Sequence, residues 1–216
     1  MGSDVSISEK EDKNKIDLSI PNIWRSWYRF RQGKGWSWEL HEFQYHLEEN
    51  IQKLFIQLND GMYRHGPYRT FTVTDNKKRE ISVASIRDRV VHRLMYDYLN
   101  DIYDKTFIYD AWSCRVGKGL NKAIHRTRHF LNIHRDSYVW RADIRKFFDS
   151  VNQQILLKIL TEKITDPMAI TLLGEIISGF DTHTHTHTRR GIAIGNLTSQ
   201  IFANIYLNEF DTITVL

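Results

Sequence analysis

The amino-acid sequence predicts an α/β fold, mostly helical, with one basic hairpin and one further strand. Apolar residues at spacings of three and four carry the helical prediction. Runs of apolar–polar alternation around positions 71–83 and 138–144 carry the strands. With 216 residues, 41% hydrophobic and 12% aromatic, the chain can build one good core or two small coupled ones.

The elements follow in order. Residues 1–18 are rich in Ser, Asp, Glu and Lys and predict a disordered tail. Trp24, Arg25, Trp27, Tyr28, Arg29, Phe30 and Arg31 form an aromatic, basic stretch, broken by Gly33 and Gly35. A short helix packing its tryptophans inward is one reading, and direct nucleic-acid contact is the other. Phe43, Leu47, Ile51, Leu54, Phe55 and Leu58 then line one face of a helix that Asn59-Asp60-Gly61 ends. Phe71 and Val73, then Ile81 and Val83, alternate on either side of Asp75-Asn76-Lys77-Lys78, as in a hairpin with a basic tip. Val90, Val91, Leu94, Met95, Tyr98, Leu99 and Ile102 make a continuous stripe that core packing explains fully.

Between Arg115 and Arg135 no acidic residue occurs, while Arg115, Lys118, Lys122, Arg126, Arg128 and Arg135 do. Solvated faces usually mix signs, so a one-sign face points to phosphate. Tyr138 to Ile144 predicts a strand with Asp143 near its end. Ser150 or Asn152 can cap the next helix, and Asp149 is another cap candidate. Ile155, Leu156, Ile159 and Leu160 bury that helix. Gly191 to Gly195 forms a tight loop, and Leu197, Ile201, Phe202 and Ile205 define a last helix.

Composition narrows the function classes. A net charge of +4 weakly favours a polyanionic partner. A single cysteine, Cys114, excludes an internal disulfide framework and a CxxC zinc pattern, and its expected role is that of a small buried hydrophobe. The first residues lack an apolar signal region, and no apolar run is long enough to span a bilayer. A soluble, cytoplasmic protein without membrane association is therefore expected. His183, His185 and His187 alternate with threonines, which suits a polar loop, although three histidines on one strand face can also hold zinc or nickel.

Two constellations carry possible chemistry. A carboxylate at the end of a buried strand is costly unless paired or bound to a cation. Transfer from a nucleoside triphosphate uses two divalent ions clamped by such carboxylates. Asp143, with Phe147 and Phe148 following, fits that need, yet from spacing alone a turn or cap role is the stronger reading. Gly191-Ile192-Ala193-Ile194-Gly195-Asn196 before a helix lets backbone approach a nucleotide or a template strand.

The order of these features decides between the readings. Ser85-Ile86-Arg87-Asp88-Arg89-Val90-Val91-His92, Ser113-Cys114-Arg115-Val116-Gly117-Lys118-Gly119, the Asp143 motif and Ile192 to Asn208 together resemble bacterial reverse transcriptases of the group II intron and diversity-generating retroelement kind. The resemblance runs from about Tyr68 to Asp211. It implies right-hand polymerase fingers over residues 19–135 and an incomplete palm over 136–216, with a partial antiparallel palm sheet. By position, Asp143 resembles the first metal-binding aspartate, with the Ile144 carbonyl as a second ligand of Mg2+ or Mn2+. Phe148 matches the aromatic gate under the sugar. Lys78 and Arg79 match fingers residues that hold the triphosphate, while Ile194 and Gly195 match the loop over the nascent pair. Arg87 and Arg89 fall in a template-contacting motif, and Arg115 and Lys118 suit template phosphates.

The resemblance has two departures. Ile194-Gly195-Asn196-Leu197-Thr198-Ser199-Gln200 replaces the more frequent Gln-Gly-x-x-x-Ser-Pro and is similar to the diversity-generating retroelement form. The family's next motif, Tyr-x-Asp-Asp, and its thumb are not present, and the 216 residues contain no Asp-Asp pair. The implied function is therefore RNA-directed DNA polymerisation, with RNA template, DNA primer and dNTP as partners and a separately encoded C-terminal half or an accessory protein completing the site. A catalytically inactive nucleic-acid-binding remnant is the second expectation, and a defence-associated binding module is the third.

Overall fold

The computed structural model describes residues 14–75, 77–180 and 189–214. Among these residues it contains nine α-helices and one hairpin: α1 (Ile20–Arg31), α2 (Trp38–Tyr45), α3 (Leu47–Asn59), β1 (Arg69–Thr74), β2 (Lys78–Val83), α4 (Ile86–Tyr103), α5 (Leu120–Ile133), α6 (Phe147–Ser150), α7 (Gln153–Lys163), α8 (Pro167–Ser178) and α9 (Leu197–Thr214).

Helix α4 is the axis of the fold. Ser85 caps it by accepting from the Asp88 N–H, and its apolar residues occupy so wide an arc that neighbours pack on several sides. Helix α1 covers one side with Ile23, Trp27 and Phe30, spaced four and three apart. Helix α9 covers another with Ile201, Phe202 and Ile205. Leu94, Met95 and Leu99 are completely buried between them, each contributing roughly 1.5–3 kcal/mol of burial. The aromatic stretch of α1 thus turns its tryptophans largely inward, as the packing reading expected.

The hairpin forms as expected, with Phe71 opposite Ile81 and Val73 opposite Arg79. The single long helix expected around Phe43 to Leu58 is two helices, because His46 leaves helical geometry at φ −102° and ψ 32°. Asn50 holds that joint by donating from Nδ2 to the Phe43 carbonyl.

Four expectations need correction. The tail boundary lies earlier than residue 18, since Ile16 and Leu18 are buried. The Ile16 N–H donates to Asp166 Oδ2 (2.7 Å), and Asn59 Nδ2 donates to the Leu18 carbonyl (3.1 Å). Cys114 is exposed in a left-handed turn (φ 54°) instead of buried. Asn152, not Asp149, caps α7, its Oδ1 accepting from the N–H groups of Gln154 and Ile155. Finally, residues 138–144 form no strand. They lie on the surface, with Trp140 78% exposed. A strand is stable only when a neighbour satisfies its ladder, and no partner strand meets this segment among the described residues. Residues 1–13 and the His183, His185 and His187 run lie outside the described residues.

Candidate functional site

The glycine loop is built onto the hairpin. Ser82 donates its N–H to the Ile194 carbonyl (2.8 Å). Asn196 clamps the same strand from both directions: Nδ2 donates to the Ser82 carbonyl (2.7 Å), and Oδ1 accepts from the Ala84 N–H (3.1 Å). Gly195 sits between these contacts at φ +116°, where a Cβ would lie 2.8 Å from Ile81 Cγ2 and 3.3 Å from the Ser82 carbonyl. Only glycine fits that close approach. Gly195→Ala is expected to cost about 2 kcal/mol through backbone strain and the clash, read as a lowered urea midpoint.

The same loop is tied to α6. The Ile192 N–H donates to the Phe148 carbonyl (2.9 Å), and the Gly191 N–H donates to the Val151 carbonyl (2.8 Å). Gln153 donates from Nε2 to the Gly191 carbonyl (3.0 Å). Phe148, Ile194, Gly195 and the strand carrying Lys78 and Arg79 therefore belong to one hydrogen-bonded junction. Lys78 and Arg79 are exposed on that strand. Phe148 is half-buried, its ring edge-on to Phe147 at 5.7 Å, and Phe147 lies 6.2 Å from the Tyr206 ring of α9.

Asp143 and Ile144 are exposed residues of the loop before α6. Phe148 follows Asp143 by five positions, so their Cα atoms are at most about 18 Å apart. Among the described residues no three His, Cys, Asp or Glu side chains converge on a point that could hold a metal ion.

The four arginine and lysine candidates differ in their surroundings. Arg87 donates to Asp88 Oδ1 from Nε (3.1 Å) and Nη2 (2.8 Å), donates to the Arg64 carbonyl, and lies over the Tyr63 ring. Arg115 is only 10% exposed. It donates to Asp104 Oδ1 (2.8 Å) and to the carbonyls of Asp104, Ile108 and Ala111. Lys118 donates to the Tyr109 carbonyl (2.7 Å) and stands 3.7 Å above the Tyr109 ring. Arg89 pairs with Glu39 at 3.7 Å, while its Nε is buried and has no hydrogen-bond partner among the described residues. Asp104 and Asp110, just upstream of the acid-free window, neutralise Arg115 and Arg126. The window's one-sign charge is thus partly balanced by the preceding loop.

A buried polar chain, not anticipated as a unit, joins the start of α4 to the start of α9. Asp88 is fully buried and accepts from Tyr63 Oη (2.9 Å), Ser85 Oγ (2.8 Å), the Gly66 N–H (3.1 Å) and Arg87. Burial alone would raise its pKa, but the Ser85 and Arg87 contacts outweigh it and hold the carboxyl below its usual value. Beside it, His65 Nδ1 faces the Gly66 carbonyl (2.6 Å) and must carry a proton. Its Nε2 then accepts from His92 Nε2 (3.0 Å), which leaves His92 Nδ1 to accept from the Thr198 hydroxyl. Burial lowers both histidine pKa values, that of His92 to about 3. The chain couples α4 to the first turn of α9 through neutral rings.

Comparison with known proteins fits this architecture. Residues 69–215 match the family described as reverse transcriptase (RNA-dependent DNA polymerase). The chain belongs to the reverse transcriptase family. It is similar to Protein YkfC of Escherichia coli (strain K12), 27% identical over 175 residues, covering 78% of this chain and 46% of that protein. It is also similar to the group II intron-encoded protein LtrA of Lactococcus lactis subsp. cremoris, 25% identical over 169 residues, covering 76% of this chain and 28% of that one. A solved partial Cas6-RT-Cas1--Cas2 complex shares the fold, with a TM-score of 0.56 and 19% identity over 91% of this chain and 34% of that chain. The present chain spans less than half the length of each. Its fold is that of reverse transcriptase fingers with part of a palm. No helix among the described residues is long and apolar enough to cross a membrane.

Proposed function

We propose that this chain supplies the fingers and front palm of an RNA-directed DNA polymerase that adds dNTPs to a DNA primer on an RNA template. The observation carrying the proposal is the junction that ties the Phe148 carbonyl, the Ile194-Gly195 loop and strand β2 into one unit. A nucleotide pocket needs these parts together. In this reading Lys78 and Arg79 hold the triphosphate, Phe148 lies under the sugar, and Gly195 lets its loop pack tightly on strand β2 so that the loop can cover the nascent pair. Arg89 and Lys118 meet template phosphates, whereas Arg87 and Arg115 act by holding the surrounding backbone in place.

Phosphoryl transfer in this family relies on divalent ions, Mg2+ or Mn2+. Asp143 and the Ile144 carbonyl are the ligands this chain offers. They do not by themselves hold two metal ions, because Asp143 belongs to no group of three or more His, Cys, Asp or Glu side chains that could bind a metal among the described residues. A polypeptide bearing an Asp-Asp hairpin is the proposed complement. It would pair along residues 138–144, whose exposed Tyr138, Val139 and Trp140 would gain a sheet face to cover them. The second reading is a nucleic-acid-binding module without catalysis, which the exposed cations Lys78 and Arg79 would equally suit.

Primer extension separates the two. The purified 216 residues are expected to give no extension product, and co-expression with the Asp-Asp-bearing polypeptide is expected to restore it. Extension by the purified chain alone, lost in Asp143→Ala, would contradict the need for a complement. Failure of every complement to restore activity would favour the module without catalysis.

A further inference from the structure

We infer that the cleft between α2, α3 and the start of α4 docks a basic segment of a partner protein, taking in one arginine or lysine side chain. This goes beyond the polymerase reading and does not rest on it. A polar cleft and an aromatic stripe meet at this place.

The cleft has a volume of about 460 Å³ and is lined from both sides of the His46 joint. Phe43 of α2 and Ile86 of α4 give it apolar lining, which suits a methylene stem. Its charged groups are not equally spent. Arg87 is turned to Asp88 and to the Arg64 carbonyl, and Lys53 pairs with Glu49 (2.8 Å). Glu39 accepts from the Ile86 N–H (3.3 Å) and pairs with Arg89 (3.7 Å), so it answers the positive end of α4. Glu42 is exposed and forms no ion pair among the described residues. The unanswered charge in the cleft is therefore negative. That sign repels a phosphate backbone and attracts a cationic side chain.

The aromatic stripe runs along α2 at the edge of the cleft. Trp38, Glu42 and Tyr45 stand at i, i+4 and i+7, so they share one helix face. Trp38 is 69% exposed and Tyr45 79% exposed. Glu42, which also lines the cleft, thus stands between two uncovered aromatic side chains. Aromatic faces attract guanidinium and ammonium groups and cover their stems, while a carboxylate neutralises the charge. A free polyamine would satisfy Glu42 but leave both rings in water. A protein segment with apolar residues beside its basic ones covers the rings as well, and this selects it as the occupant.

The test is fluorescence anisotropy of a labelled peptide of roughly ten residues, arginine alternating with leucine, against the full chain at about 50 mM salt. A peptide of glutamate and leucine is the control. The arginine peptide is expected to bind at least about tenfold more tightly than the control. Glu42→Lys is expected to weaken it about tenfold or more. Glu48→Lys makes the same charge change at an exposed position outside the cleft and is expected to stay within about threefold of the native chain. Trp38→Ala/Tyr45→Ala is expected to weaken binding about tenfold, and Trp38→Phe/Tyr45→Phe to stay within about threefold. All four replaced side chains are exposed, so the fold is not at stake. Equal losses in Glu42→Lys and Glu48→Lys would reduce the binding to net charge and overturn the proposal. No binding of the arginine peptide would also overturn it, leaving the polymerase reading untouched. Spermine binding that Glu42→Lys abolishes, with peptide binding indifferent to the aromatic pair, would give the cleft to a free polyamine and overturn it too.

Discussion

Asp88→Ala is expected to destabilise the protein by about 3–5 kcal/mol, a large share of the roughly 5–15 kcal/mol that holds a typical domain. The carboxylate is fully buried and accepts from Tyr63, Ser85, the Gly66 N–H and Arg87. Removing it leaves a half-buried guanidinium without its counter-ion and a buried phenol without its acceptor. It also removes the brace that positions Gly66, whose carbonyl fixes the His65 tautomer. Urea unfolding measures the loss. Asp88→Asn retains one acceptor and is expected to fall between the native chain and the alanine variant. An alanine variant within about 1 kcal/mol of native would mean that the network contributes little.

Acid is expected to weaken the fold well above the range where carboxylates titrate. His92 is buried and neutral, with a folded pKa near 3 against an ordinary value of 6.5. The unfolded chain therefore binds the proton that the folded chain refuses. Stability is full above the unfolded value and falls as pH drops toward the folded one, by about 1.4 kcal/mol per pH unit. His65 adds to this in the same direction. A second proton on His65 would also set two N–H donors face to face across the 3.0 Å contact with His92. Between pH 7 and pH 5 the expected loss from His92 alone is about 2 kcal/mol. His92→Gln, which does not titrate, should flatten the urea midpoint over that interval relative to the native chain. Asp88 contributes in a lower window, since its depressed carboxyl loses stabilisation only as pH falls below the ordinary carboxylate range. An unchanged pH slope in His92→Gln would contradict the neutral-ring assignment.

How far the sequence alone could go depended on whether a feature is local. Helix α4, the hairpin and the Asn152 cap rest on periodicity, alternation and short-range capping, all written in neighbouring residues. Helix α8 carries an equally local signal, Asp166 as cap followed by Pro167. The break at His46 was not legible, because the apolar stripe continues through it. Residues 138–144 misled for a physical reason: alternation states what a strand would bury, but a strand also needs a partner for its ladder. The site divides the same way. The glycine loop could be found from its residues, whereas the Asn196 clamp on β2, the His65–His92–Thr198 chain and the acids that neutralise Arg115 and Arg126 depend on contacts across the fold.

Asp143, and not the neighbouring Asp149, is the proposed carboxylate of this chain in nucleotide addition. Primer extension by the complemented protein, run side by side with Asp143→Asn and Asp149→Asn, tests it most directly. Loss of about a thousandfold or more in Asp143→Asn is expected, with Asp149→Asn close to the native rate. Native-level extension by Asp143→Asn would contradict the account.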